Sequence, residues 1–305
     1  MDFEVTILGS NAAIPTLSRG TTSQYVHCKQ RHILIDCGEG TQMQLRKFHI
    51  KYQRINIILI SHLHGDHVFG LPGLISTMQL MGRTQGLKVY GPIGIKKLLR
   101  ANLDAGGGYF LFKIDIVELE NDGAGLIFED KCIEIHHFPL KHRIPTHGYR
   151  IQEKPATRKL VREAFNKTGV SVAYIKKLLQ GEDITDNLGV HVTADSVTLP
   201  APPTRAYAFC SDTAYSEAII PYIQGANLLY HESTFLDKEA ERAAETYHST
   251  AKQAAAIALK AQVQRLILGH FSSRYKSLRL FQEEAEELFP HVSIPEDGML
   301  YVISN

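Results

Sequence analysis

The segment His62-Leu63-His64-Gly65-Asp66-His67 directly follows the apolar run Ile55–Ser61, and no other stretch constrains the chain as strongly. A buried strand that ends in a polar loop projects several side chains outward together. Residues spaced by two in an extended segment point to one side. His62, His64 and Asp66 are therefore predicted on one side and His67 on the other. Four donors within six residues are too close to wrap one ion. They suit two adjacent ions, each completed by ligands from elsewhere in the chain. Imidazole nitrogens with a carboxylate are a Zn2+ donor set, and the same set accepts Mn2+ or Fe2+. The chain holds 15 His in 305 residues, which makes metal or acid–base chemistry the first thing to look for.

Short runs rich in Val, Ile, Tyr and Phe predict strands at Phe3–Leu8, Ser23–Lys29, His32–Asp36, Ile55–Ser61, Leu87–Tyr90, Ile114–Glu118 and Cys132–Phe138. Helical spacing predicts helices at Thr41–Phe48, Pro72–Met81 and Ile95–Leu103, and Gly106-Gly107-Gly108 is a loop signal. In the last third, strands are predicted at Arg205–Cys210, Asn227–Tyr230, Arg265–Leu268 and Met299–Ile303. Helices are predicted there at Lys238–Thr246, Ala251–Ala261 and Leu278–Phe289, with a capping box at Thr250-x-x-Gln253. Two β-rich halves with helices outside make an α/β sandwich.

Between them the texture changes. From about Glu153 to Pro203, Lys154, Arg158, Lys159, Arg162, Lys167, Lys176 and Lys177 sit among few acids, and the stretch ends in Pro200, Pro202 and Pro203. This reads as an inserted basic module or as a solvated helix face with a surface loop. The formal net charge of +1 excludes a uniformly basic nucleic-acid binder and leaves room for a local basic patch. The four Cys form no CxxC and suit a reduced cytoplasmic protein. No apolar run is long enough to span a membrane, and the start MDFEVTILGS lacks the basic and apolar regions of a signal peptide.

Several further motifs occur in order: Gly9-Ser10-Asn11-Ala12-Ala13-Ile14-Pro15, Asp36-Cys37-Gly38-Glu39-Gly40, Gly70-Leu71-Pro72-Gly73, and His142 with Gly148-Tyr149. Ser211-Asp212-Thr213, His231-Glu232-Ser233-Thr234-Phe235, His248-Ser249-Thr250 and Gly269-His270-Phe271-Ser272-Ser273-Arg274-Tyr275 follow. With these, the chain resembles the metallo-β-lactamase superfamily and, within it, the ribonuclease Z family over nearly its full length. The HxHxDH segment alone specifies only the superfamily. The later segments in order specify the family.

The resemblance implies a four-layer αββα sandwich, the metallo-β-lactamase fold, as a single domain over residues 1–305. An inserted, protruding basic arm would occupy 153–203. It implies two Zn2+ per subunit, the first held by His62, His64 and His142, the second by Asp66, His67 and His270, with Asp212 bridging. The implied activity is endonucleolytic removal of the 3′ trailer from precursor tRNA. Two-metal activation of a bridging hydroxide would leave a 3′-hydroxyl on the tRNA and a 5′-phosphate on the trailer. Asp66 would orient the attacking water or accept its proton, and His248, held by Glu232, would be the general acid. Arg274 or Lys276 would hold a phosphate, or be plain surface cations. Lys176 and Lys177 would contact tRNA from the arm. Relatives are homodimers in which one subunit's arm serves the other's site.

Asp36 is expected to orient a ligand. His147 is a candidate for lining the site, and His27, His32, His49, His136, His137, His191 and His291 match no ligand position. Two departures stand out. Gly169–Tyr174 lacks the Gly-Pro of many bacterial arms, and Pro15–Gly20 lacks the family's Arg-Asn, which puts discrimination against a CCA end in doubt. Two other readings compete: a dinuclear-zinc hydrolase of a small phosphodiester, lactone or thioester, and a non-catalytic RNA-binding module that kept the fold.

Overall fold

The structure is a computed structural model that describes residues 3–107 and 111–304; Gly108 of the predicted glycine loop lies outside them. Two compact units emerge among the described residues: one up to residue 152 together with 205–304, the other 153–204.

In the first unit, two seven-stranded sheets carry the architecture. One runs, edge to edge, Leu300–Val302, Phe3–Gly9, Ser23–Cys28, Arg31–Ile35, Ile57–Leu59, Leu87–Pro92, Ile114–Leu119. The other runs Val292–Ser293, Leu266–Gly269, Leu228–Glu232, Ala206–Cys210, Thr146–Glu153, Ile133–Leu140, Gly125–Glu129. Alternation along each strand sorts side chains between two layers. Ile33, Ile35, Ile57 and Leu59 meet Ile151, Phe209, Tyr230 and Ile267 in the core between the sheets. Leu34, Ile58 and Ile60 face the other way, under Leu45, Leu71, Leu74 and Leu99 of the helices at 41–47, 70–80 and 95–105. On the far side, Ala208, Leu229 and Leu266 pack beneath Ala254, Ile257 and Phe281 of the helices at 251–260 and 279–286. Strands buried on both faces read as unbroken apolar runs, which is why Ile55–Ile60 carries no polar residue except Asn56. The result is the predicted four-layer sandwich.

Most predicted elements stand within two or three residues of their expected bounds. The Ile55–Ser61 strand shortens to Ile57–Leu59, because Ile55 closes a turn with Tyr52 and the Ser61 N–H leaves the ladder for Asp36 Oδ1. Besides several two-residue strands, two longer ones escaped the sequence reading. Gly125–Glu129 is a half-exposed edge, and Thr146–Glu153 carries polar residues along a largely buried strand.

The second unit has its own small core of Phe165, Val170, Leu178, Ile184, Val192, Ala194 and Val197. Three short helices, at 162–168, 175–179 and 194–197, and two two-stranded ribbons surround it. Arg158 is tied to Thr198 Oγ1 at 2.6 Å and paired with Asp195. Lys159, Arg162, Lys167, Lys176 and Lys177 are exposed. All four cysteines are free, and among the described residues no helix is long and apolar enough to cross a membrane.

The Thr250 capping box is complete: its hydroxyl accepts the Gln253 N–H, and the Gln253 side chain accepts the Thr250 N–H. Thr250→Ala is therefore expected to lower unfolding free energy by about 1 kcal/mol, measured by urea denaturation.

Candidate metal centre

The Arg31–Ile35 and Ile57–Leu59 strands run parallel, so Asp36 and the His62 segment leave the first sheet at the same edge. Parallel strands of the second sheet end likewise at Cys210, Glu232 and Gly269, delivering Asp212, Glu232 and His270. The loop after Asp36 is stitched to the histidine segment: Cys37 N–H donates to His67 O at 2.8 Å, and Gly70 N–H to Cys37 O at 2.9 Å. A Cβ on Gly38 would stand 2.1 Å from the Asp66 carbonyl oxygen, so only glycine permits this crossing.

Two donor sets converge. In the first, His62 Nε2 lies 2.9 Å from His64 Nδ1, and His142 Nε2 lies 3.4 Å from the same atom. Asp212 Oδ2 is 3.6 Å from His62 Nε2 and 3.8 Å from His142 Nε2. In the second, His67 Nε2 and His270 Nε2 are 3.3 Å apart, each 3.5 Å from Asp66 Oδ2. Asp212 Oδ1 lies 3.3 and 3.2 Å from these two nitrogens. One carboxylate thus faces both sets, one oxygen to each.

The sets fit divalent cations. Nitrogens bound tetrahedrally to zinc at about 2.0–2.1 Å stand about 3.3 Å apart, close to the separations here. Four imidazoles also have their outer nitrogen bonded: His62 Nδ1 to Ser61 Oγ at 3.0 Å, His67 Nδ1 to Asp36 Oδ2 at 2.7 Å, His142 Nδ1 to Tyr247 O at 2.9 Å, and His270 Nδ1 to Thr234 Oγ1 at 2.9 Å. A proton on the outer nitrogen leaves a lone pair on the inner one, the form that ligates. Asp36 and His270 both hold positive φ, at 55° and 58°, uncommon for residues with side chains and concentrated at functional positions.

One expectation is corrected here. Asp66 does not share a side with His62 and His64. The chain turns helical at Gly65–Val68, and this swings Asp66 to His67 and His270.

Electrostatics sort the histidines. Burial lowers the pKa of His62, His64 and His142 and keeps them neutral. Burial opposes charge on His67 too, but Asp212, Asp36 and Asp66 outweigh it and raise its pKa well above 6.5. Glu232 is fully buried, and burial works against its charge. His248 overcomes that, and the N–H groups of Thr213, Thr234 and Ser249 and the Thr234 hydroxyl also donate to this carboxylate. His248 Nδ1 lies 2.9 Å from Glu232 Oε1. Burial pulls His248 down, but Glu232 and then Asp212 outweigh it, and its pKa is pushed up to about 9 with Arg143 opposing.

His64, Asp66, His142, Asp212, His248 and His270 line a cavity of about 620 Å³. The sequence reading missed Phe69, Arg143 and Arg242 on its wall. Nothing in the local pattern marks them, except that Arg143 adjoins His142. Arg274 is not among the lining residues. Its guanidinium pairs with Glu239 at 2.8 Å and stacks over Phe235. Lys276 lines a neighbouring hollow of about 640 Å³ with Arg19 and Lys47. Lys176 and Lys177 lie exposed on the 175–179 helix of the second unit. His147 is buried behind the cavity wall, its N–H donating to Ser61 O at 2.9 Å. The N-terminal motif braces the site: Ala13 N–H donates to Asp66 Oδ2 at 2.7 Å, and Ala12 N–H to Phe271 O at 3.0 Å.

A family model described as anti-Pycsar protein Apyc1 matches residues 3–110. Ribonuclease Z of Parabacteroides distasonis is 43% identical over 298 residues, covering 98% of each chain. The crystal structure of the short form of human tRNase Z superimposes with TM-score 0.72 at 27% identity, covering 99% of this chain and 100% of that one. The metallo-β-lactamase fold protein YhfI of Bacillus subtilis shares the fold, with TM-score 0.71 at 17% identity, covering 99% of this chain and 100% of that one. With a relative this similar over its whole length, the chain belongs to the ribonuclease Z family of metallo-β-lactamase-fold endoribonucleases.

Proposed function

We propose that the chain is a two-zinc endonuclease that cuts the 3′ trailer from precursor tRNA. The observation that carries the reading is Asp212, whose two oxygens face two separate sets of imidazoles at 3.2–3.8 Å. His62, His64 and His142 would hold one ion, Asp66, His67 and His270 the other, with Asp212 shared. Bound there, a cation pair supplies Lewis acidity toward phosphate oxygens and lowers the pKa of water toward neutrality. Zinc suits the donors, and Mn2+ or Fe2+ is compatible with them.

The protein's own groups do the rest. Asp66, held by Ala13 N–H, orients the attacking water or takes its proton. The water oxygen bonds to phosphorus and the bond from phosphorus to the tRNA 3′-oxygen breaks. His248 has Nδ1 committed to Glu232, which leaves Nε2 to protonate that departing oxygen. The products are a tRNA 3′-hydroxyl and a trailer 5′-phosphate. The basic unit at 153–204 would bind tRNA backbone through exposed cations including Lys176 and Lys177, by charge and shape rather than sequence. We further read the protein as cytoplasmic and homodimeric, in line with the family resemblance.

Chelation should abolish cleavage of precursor tRNA, and stoichiometric zinc should restore it. Asp212→Ala is expected to lose both metal content and cleavage. His248→Ala should retain metal yet slow single-turnover cleavage by roughly 10²–10⁴-fold; unchanged turnover would remove His248 from the mechanism. Lys176→Ala with Lys177→Ala should raise KM for precursor tRNA and flatten its salt dependence. A protein that hydrolyses a small phosphodiester, lactone or thioester but leaves precursor tRNA intact would overturn the tRNA reading.

A further inference from the structure

We propose that Arg143 and Arg242 form a phosphate clamp on the tRNA side of the scissile bond, holding the backbone phosphate that precedes the leaving nucleotide. The inference rests on the endonuclease reading and assigns substrate contacts within that same cavity.

Among the described residues lining the cavity, Arg143 and Arg242 are the only Lys or Arg side chains. Both are exposed, and neither guanidinium has an ion pair or hydrogen bond among the described residues. Several other arginines of this unit are committed. Arg31 pairs with Asp130, Arg274 with Glu239 and Arg279 with Glu283, while Arg83 and Arg150 donate to main-chain carbonyls. Two uncommitted forks in one cavity match phosphate, which guanidinium binds through paired hydrogen bonds.

Their position selects which phosphate. Arg242 lies on the Ala240–Thr246 helix, which ends at Tyr247 in a left-handed conformation and hands the chain to His248. Arg143 follows His142, whose Nδ1 donates to the Tyr247 carbonyl at 2.9 Å. Both arginines are therefore tied to the wall that carries His248, the proposed donor to the leaving 3′-oxygen. Beyond that oxygen lies the tRNA's last nucleotide, and its own 5′ phosphate is the next anion along the backbone. Arg274, a sequence-level candidate for such a role, already has a carboxylate partner.

The test uses metal-loaded enzyme and precursor tRNA carrying either normal phosphates or a neutral methylphosphonate at that one position. Arg143→Ala and Arg242→Ala should each raise KM roughly 5- to 20-fold. Each should also reduce the slope of log affinity against log salt by about 1. The methylphosphonate should impose a similar penalty on wild type and add little to the double alanine variant, because the contact is already gone. Arg143→Lys and Arg242→Lys should recover part of the loss, with metal content equal to wild type. Unchanged KM and salt slope, or penalties from variant and methylphosphonate that multiply, would overturn the clamp. A loss confined to kcat, or one traced to lost metal that lysine does not rescue, would overturn it as well. Wild-type enzyme that leaves precursor tRNA uncut would instead bring down the endonuclease reading beneath it.

Discussion

A buried carboxylate shared between two groups of imidazoles is the constraint around which this molecule is arranged. Asp212 is 3% exposed, and its oxygens face His62, His67, His142, His248 and His270, with the Ser211 hydroxyl donating at 3.4 Å. Removing such a charge from water is costly unless its partners hold close geometry. Two sheets supply that geometry by the same device. In each, parallel neighbouring strands finish at one edge, where successive loops are forced together. The helices on the outer faces bury the far sides of those strands and keep the edges from shifting. Packing between the sheets then brings the two edges into one cavity.

The parts legible in the sequence were those written locally. A two-sided apolar run followed by HLHGDH announces a buried strand and a donor-rich loop, and Thr250-x-x-Gln253 announces a helix start. The later candidate ligands could be named only through a family resemblance, because nothing local links residue 62 to residues 142, 212 and 270. Backbone direction was less legible. Strict alternation placed Asp66 beside His62 and His64, but a single helical turn starting at Gly65 rotates it away. The free or bound state of a cation was not legible at all. Arg274 looks available in its own segment, and its partner Glu239 lies 35 positions earlier. Arg143 and Arg242 look like ordinary surface charges until the fold sets them in one cavity.

Environment also divides the histidines by charge. His62, His64 and His142 are held neutral by burial. His248, a neighbour in the same cavity, is instead held charged by Glu232, itself fixed by four further donors from Thr213, Thr234 and Ser249. Groups of one chemical type with pKa values pushed in opposite directions are how a site separates ligands from acids.

His67 tests that division. Its pKa is raised, as an acid's would be, yet it faces Asp66, Asp212 and His270 in the second donor set. The two facts agree once protons and metal ions are treated as rivals for one position. Three carboxylates around an imidazole stabilise positive charge there, whichever cation carries it. Asp36 bonds the outer nitrogen at 2.7 Å, so the proton that competes with a metal is the one on Nε2. A divalent cation displaces that proton and satisfies the same carboxylates. His248 also neighbours Asp212 and His270, but its Nδ1 lies 2.9 Å from Glu232, which belongs to neither donor set. The carboxylate that serves His248 lies outside the candidate metal cluster, a separation that would let one cavity hold cations and a proton donor side by side.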